Sequence, residues 1–149
     1  MTVTVDINVA LDVFQKREPH YAASAQVVGL VVSGAIRGVF PAHGLTTLYY
    51  LVRKHASKPE AEAAMAHVLR HFHVGNLEAA GWQGAQRLGL KDFEDAVVAM
   101  VAEQTGSAFI VTRNVDDFAG APKPAITPTG FLGLYALATQ PGGERSGPK

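Results

Sequence analysis

Hydrophobic and polar positions along this chain switch between a two-residue and a helical period, and the switches predict alternating strands and helices. Val3-Thr4-Val5 is β-branched and reads as a first strand that closes on Asp6. Val9, Leu11, Val13 and Phe14 then fall on a short helix. Pro19 is expected in the first turn of a second helix reaching to about Gly34, with Ala22, Ala25, Val28, Val32 and Ile36 on its apolar face. Val39 to Ala42 gives a second strand, and Leu45, Leu48, Tyr49 and Val52 have helical spacing within 45–54. Ser57 and Glu60 form a capping box with Pro59 in the first turn, opening a helix that turns Ala64, Met65, Val68, Leu69 and Phe72 inward. His73-Val74 makes at most a short strand, and Asn76 is expected to cap a helix through Leu88 that Gly89 ends. Asp92 opens a helix to about Gln104, with Phe93, Ala96, Val97, Met100 and Val101 buried. Ala108 to Thr112 is the strongest strand. A turn over 114–118, a weak proline-flanked edge strand at Ala125–Thr127 and a helix from Phe131 to Ala138 complete the pattern.

Such alternation predicts a largely parallel sheet covered by helices on both faces. The chain has 149 residues, enough for one domain with a sizeable core, and shows no internal repeat or linker. With 48% hydrophobic and 17% charged residues it is not a disordered chain. Basic and acidic residues balance at 13 each, which neither predicts nor excludes a nucleic-acid partner. Cysteine is absent, so disulfides and thiolate metal sites are excluded and a cytoplasmic setting is expected. No apolar run is long enough to cross a membrane, and the N-terminus has no signal-peptide pattern. The stretch 139–149 is polar and rich in Gly and Pro, and is expected to be a disordered tail without function.

Candidate chemistry collects where such sheets bind ligands, at the carboxyl ends of the strands. Three segments bring polar groups there: Asp6 with Asn8; Lys91-Asp92-Phe93-Glu94-Asp95-Ala96 at a helix start; and Thr112-Arg113-Asn114-Val115-Asp116-Asp117-Phe118 after the strongest strand. A carboxylate ending a buried strand is costly unless a charge offsets it. If Asp6 and Asp95 approach each other, neither ionises cheaply without a cation between them. Oxygen ligands without Cys or paired His select Mg²⁺ or Mn²⁺, which activates water and steadies charge in phosphodiester hydrolysis.

Plainer readings compete. Asp92 suits a helix cap, and Asp12 and Glu94 read as solvated faces. Asp116, Asp117 and Asn114 all suit a turn. His67 and His71 have zinc-compatible spacing but no evident third ligand, so a structural or solvent role is expected. Tyr49 lies on an apolar face and is expected to pack in the core, while Arg53 and Lys54 end a helix. Arg113 reads equally as a phosphate contact or a surface residue.

Val5-Asp6-Ile7-Asn8-Val9, Asp92-Phe93-Glu94-Asp95-Ala96 and Thr112-Arg113-Asn114-Val115-Asp116-Asp117-Phe118 together resemble the PIN-domain family, in order and spacing, over Val3 to about Leu137. The resemblance implies a three-layer α/β/α sandwich over residues 1–138, with a mainly parallel sheet of about five strands. It implies a metal-dependent ribonuclease, of a kind that includes the VapC-type toxins paired with antitoxin proteins. Carried over, Asp6 is the first metal carboxylate, Asp95 the main helix carboxylate, Asn114 and Asp117 the later members of the catalytic set. Asn8, Asp92 and Thr112 support them. One position departs from the pattern: in Thr46-Thr47-Leu48-Tyr49-Tyr50, Thr47 stands where many members carry Glu. Fewer carboxylates imply weaker Mg²⁺ binding.

The expected activity is therefore Mg²⁺- or Mn²⁺-dependent hydrolysis of RNA by the toxin of a toxin–antitoxin pair. The expected partners are RNA, an antitoxin and a second copy of the chain, since Phe14, Tyr21 and Leu30 exceed what the core can bury. The competing reading is a PIN-fold RNA- or protein-binding module that has lost catalysis through Thr47. A phosphotransferase with Asp6 as nucleophile is disfavoured, because its second acid would fall at Asn8.

Overall fold

In the computed structural model, which describes residues 1–141, five parallel strands form one sheet in the order β3-β2-β1-β4-β5. These are β1 (Thr2–Val5), β2 (Arg37–Pro41), β3 (His73–Gly75), β4 (Phe109–Val111) and β5 (Ala125–Ile126). Seven helices join them: α1 (Ile7–Phe14), α2 (Tyr21–Val32), α3 (Gly44–His55), α4 (Lys58–His71), α5 (Ala79–Leu88), α6 (Phe93–Gln104) and α7 (Pro128–Ala138). A short 3-10 helix, Val115–Phe118, follows β4. Of the tail expected to be disordered, residues 142–149 lie outside the described residues.

Alternate residues of the central strands feed two cores, as the strand period requires. Val3, Val5, Phe40 and Val111 pack with α1, α2, α3, α4 and α7, while Ile110 packs with α6 and Phe118 on the opposite face. The result is the expected α/β/α sandwich, with strands buried on both sides. The chain runs from β1 outward to β2 and β3, then returns to place β4 on the other side of β1. The β1–β4 junction is thus the topological switch point, where α/β sheets form their crevice. Asp6 follows β1 and Thr112 follows β4, so both stand at that crevice.

Several helix boundaries and faces differ from expectation. Helix α2 begins at Tyr21 with Pro19 outside it, and it buries Ser24, Val27, Val28 and Val31; of the expected stripe within the helix only Val28 is buried. Val32 is exposed, and the buried Ile36 lies beyond the helix. Nearly every residue of α2 is apolar or small, so periodicity does not fix its phase. Helix α5 starts at Ala79 behind Glu78, not at an Asn76 cap. Helix α7 starts at Pro128, with the Thr127 hydroxyl accepting from the Gly130 N–H at 3.0 Å. Leu69 and Phe93 face solvent, against the inward assignment. Tyr49 is only half-buried and donates its hydroxyl to Glu62 at 2.9 Å. Phe14, Tyr21 and Leu30 are each partly buried, so the apolar surplus expected there is absent. It appears instead at Val32, Leu134 and Leu137 on α2 and α7, at Tyr50 and Leu69 on α3 and α4, and at Trp82 and Phe93 on α5 and α6. His67 and His71 stack with ring centroids 4.8 Å apart, and His67 also meets Phe14 edge-on, which agrees with a packing role.

Close approach at Gly44 sets α3 against the start of α1. A Cβ there would lie 2.6 Å from Ile7 Cγ1 and 3.2 Å from Phe40 Cε1, both in buried side chains. Gly44→Ala is therefore expected to destabilise the fold by about 1–3 kcal/mol. A lowered urea midpoint with unchanged slope checks this, and an unchanged midpoint contradicts it.

Candidate functional site

Asp6 is fixed from three sides. Its backbone N–H bonds the Val111 carbonyl at 2.9 Å, continuing the β1–β4 ladder by one residue. Its Oδ1 accepts the Ile7 N–H at 2.8 Å and so caps α1. Its Oδ2 accepts the Thr112 hydroxyl at 2.8 Å, and Thr112 Oγ1 in turn accepts the Asn114 N–H at 3.1 Å. Thr112 thereby ties the end of β4 to the end of β1. Burial pushes the Asp6 carboxyl above its ordinary range, and the bonds from Thr112 and Ile7 pull it back.

Asp95 lies in the first turn of α6, whose start is set by Asp92. The Asp92 Oδ1 accepts the Glu94 N–H at 2.8 Å and the Asp95 N–H at 3.3 Å, so its capping role is realised. Burial and then the repulsion of Asp6, Asp92, Asp117 and Glu94 drive the Asp95 carboxyl up to about 7. The fold thus brings together five of the acids found in the sequence, Asp6, Asp92, Glu94, Asp95 and Asp117. Lys91, Asp92, Asp95 and Asp117 line a cavity of about 340 Å³. Asp117 also lines a neighbouring cavity of about 320 Å³ with Arg113, Asn114 and Asp116. Asn114 is exposed there, next to the carboxylates rather than among them. Asn8 Oδ1, two residues after Asp6, is buried without a hydrogen-bond partner.

Two readings are corrected. Asp12 is not on a solvated face: it is fully buried and accepts from Arg113 Nε at 2.8 Å and from the Ser24 hydroxyl at 3.1 Å. Arg113 is accordingly neither a free surface residue nor an unpaired cation. Glu94, by contrast, is exposed as expected. Residues beside the acids that sequence reasoning passed over are His43, Trp82 and Phe93. His43 follows the carboxyl end of β2 as Asp6 follows that of β1, and that shared position was the available signal.

The donor set is oxygen, and repelling carboxylates with a raised proton affinity suit a hard cation. Among the described residues, however, no group of three His, Cys, Asp or Glu side chains is close enough to enclose a metal. Helix α3 supplies no acid, since Thr47 stands half-buried near its start. The residues fit an ion held by one or two carboxylates that keeps several waters, which is the ordinary coordination of Mg²⁺, and do not fit a protein-only cage.

A PIN-domain family model matches residues 2–116. The chain belongs to the PIN-domain family. Solved structures share the fold at low identity. VapBC from Rickettsia felis, bound to a DNA fragment from its promoter, is 16% identical with a TM-score of 0.67, over 85% of this chain and 98% of that one. A sarcin–ricin-loop-cleaving VapC toxin of Mycobacterium tuberculosis is 17% identical with a TM-score of 0.65, over 78% and 93%. A toxin–antitoxin complex from Klebsiella pneumoniae is 20% identical with a TM-score of 0.64, over 85% and 97%. No curated protein matches the chain. No helix of this PIN domain is long and apolar enough to cross a membrane among the described residues.

Two outcomes follow from the charges. An acid whose folded pKa exceeds its unfolded value adds stability below the unfolded pKa and loses it as pH rises through the folded one. For Asp95 that window runs from 3.8 to about 7. At pH 8 without divalent metal, Asp95→Asn should raise the melting temperature by about 2–4 °C, on the order of 1 kcal/mol after allowing for solvent screening. The gain should vanish near pH 3; an equal gain at both pH values would contradict the origin assigned to it. Arg113→Ala strands the buried Asp12 charge and should destabilise by about 3 kcal/mol. Chemical denaturation measures it, and a loss under about 1 kcal/mol would mean that the pair is dispensable.

Proposed function

We propose that this PIN domain is a divalent-metal-dependent ribonuclease that hydrolyses RNA phosphodiester bonds as the cytoplasmic toxin of a toxin–antitoxin pair. The observation that carries the reading is the convergence of Asp6 and Asp95 at the β1–β4 crevice, with Asp95 driven up to about 7 by its acidic neighbours. Asp6 and Asp95 would hold Mg²⁺ or Mn²⁺. When bound, such a cation lowers the pKa of water and offsets charge on the phosphate.

The remaining roles belong to the chain itself. Thr112 orients the Asp6 carboxylate through its hydroxyl, and the Ile7 N–H fixes the other oxygen. Asp92 sets the first turn of α6, and with it the position of Asp95. Asp117, which lines the acidic cavity, and Asn114, in the neighbouring one, orient water and the phosphate, and Asn8 supports the Asp6 segment. Arg113, held by Asp12, braces the start of the loop that carries Asn114 and Asp117.

RNA as substrate and an antitoxin as partner are supported by the solved relatives, one a toxin that cleaves the sarcin–ricin loop and others captured as toxin–antitoxin assemblies. A second copy of the chain is proposed as a further partner, over the exposed Val32, Leu134 and Leu137. The competing reading, a PIN-fold binding module without catalysis, is favoured by Thr47 and by the lack of a third acid near enough to enclose a metal.

Incubation with single-stranded RNA and Mn²⁺ separates the two. Cleavage should require the metal and should fall by at least about 100-fold in Asp95→Asn. Cleavage that survives both chelation and this substitution removes the mechanism. A titration showing no Mn²⁺ binding at millimolar metal favours the binding module.

A further inference from the structure

We infer that Trp82 and Phe93 form a stacking platform for a base of single-stranded RNA beside the acidic cavity, with His43 at its inner edge. This rests on the ribonuclease reading for its ligand, and on separate residues for its site. Trp82 is 39% and Phe93 49% exposed, although both are large aromatics. They come from different helices, yet their ring centroids lie 6.1 Å apart with planes only 34° from parallel. That spacing is too short to admit a third ring between them, so they make a floor rather than a slot. Trp82 Nε1 donates to the Leu77 carbonyl at 3.2 Å, which fixes the indole. His43 meets Trp82 edge-on at 6.4 Å and lies near enough to Asp6 to feel its charge. Its Nε2 is buried without a hydrogen-bond partner. His43 and Trp82 also share the lining of a cavity of about 280 Å³ with Asn76 and Leu77.

Position and charge select the occupant. His43 links the rings to the acids, because it meets Trp82 edge-on and also feels the Asp6 charge, so a strand crossing the platform runs on toward the acidic cavity. That cavity has three acids and one lysine in its lining, and by itself it repels a polyanion. Beside the charge that a bound cation would supply, attraction for RNA can come from groups that do not depend on charge. Aromatic faces supply this, because every base has a π-face and stacking tolerates any sequence.

Trp82 is the only tryptophan in the chain and reports directly on the platform. The test uses full-length Asp95→Asn in chelator, which suppresses cleavage, titrated with oligoadenylate and with an abasic ribose-phosphate oligomer of equal length. Oligoadenylate should quench Trp82 emission saturably, and the abasic oligomer should not. Adding Phe93→Ala should weaken binding by about 10-fold, and Phe93→Tyr should restore it. Since Phe93 is half-exposed, both variants are expected to fold. Equal effects of the two oligomers, or emission that depends on protein concentration alone, would overturn the platform; the second outcome assigns this face to self-association. Failure of wild-type protein to cleave RNA with Mn²⁺, alongside base-dependent quenching, removes the ribonuclease reading and leaves the platform standing. Cleavage without base-dependent quenching does the reverse.

Discussion

Asp6 is the constraint on which the rest of the site depends. It is 6% exposed at the end of a buried strand, and a carboxylate there is tolerated only because both oxygens are engaged, one by the Ile7 N–H and one by the Thr112 hydroxyl. Those two bonds define much of the local architecture. The first begins α1; the second joins β1 to β4 at the switch point. With Asp6 held in place, α6 delivers Asp95 to the same edge of the sheet, its backbone fixed by the Asp92 cap. Repulsion between them is therefore built in, not an accident of a mobile loop.

The Asp12–Arg113 pair performs the complementary task. Asp12 sits in α1 and Arg113 directly after β4, so the pair spans the same two chain segments that Asp6 and Thr112 join. The Ser24 hydroxyl adds α2 to the connection. A buried ion pair contributes little net stability compared with apolar packing, but breaking it is expensive. Its structural consequence is to fix where the chain goes after Thr112, and so where Asn114 and Asp117 stand.

Local signals in the sequence were enough to find the acids. Asp6 closes a β-branched run, Asp92 precedes a helix as a capping residue, and Thr112 ends the most apolar strand; all three keep those roles in the fold. Long-range pairing was not legible. Asp12 and Arg113 are 101 residues apart, and a lone acid in a short amphipathic helix looks like a solvated one until its partner is seen. The phase of α2 was illegible for a different reason: its residues are apolar almost all round, and the face that is buried carries Ser24, whose hydroxyl donates to Asp12, a partner that no local pattern reveals. Phe93 was misplaced because an aromatic at a helix start is normally core, and nothing local reveals that this one stays outside.

That misplacement connects the site to the energetics of the whole edge. Proteins normally hide large aromatics and separate like charges, yet both rules are broken within one short stretch, Asp92 to Asp95, and with Trp82 beside it. Each exception lowers the stability of the isolated chain. They share a location, the carboxyl edge of the sheet, where a ligand carrying a cation, phosphate and bases would relieve both at once. Two unrelated structural faults would have no reason to coincide. In the proposed reading a single ligand that neutralises the acids and covers the rings would account for both, and Thr112, Asp92 and the Asp12–Arg113 pair would be the supports that hold the site ready for it.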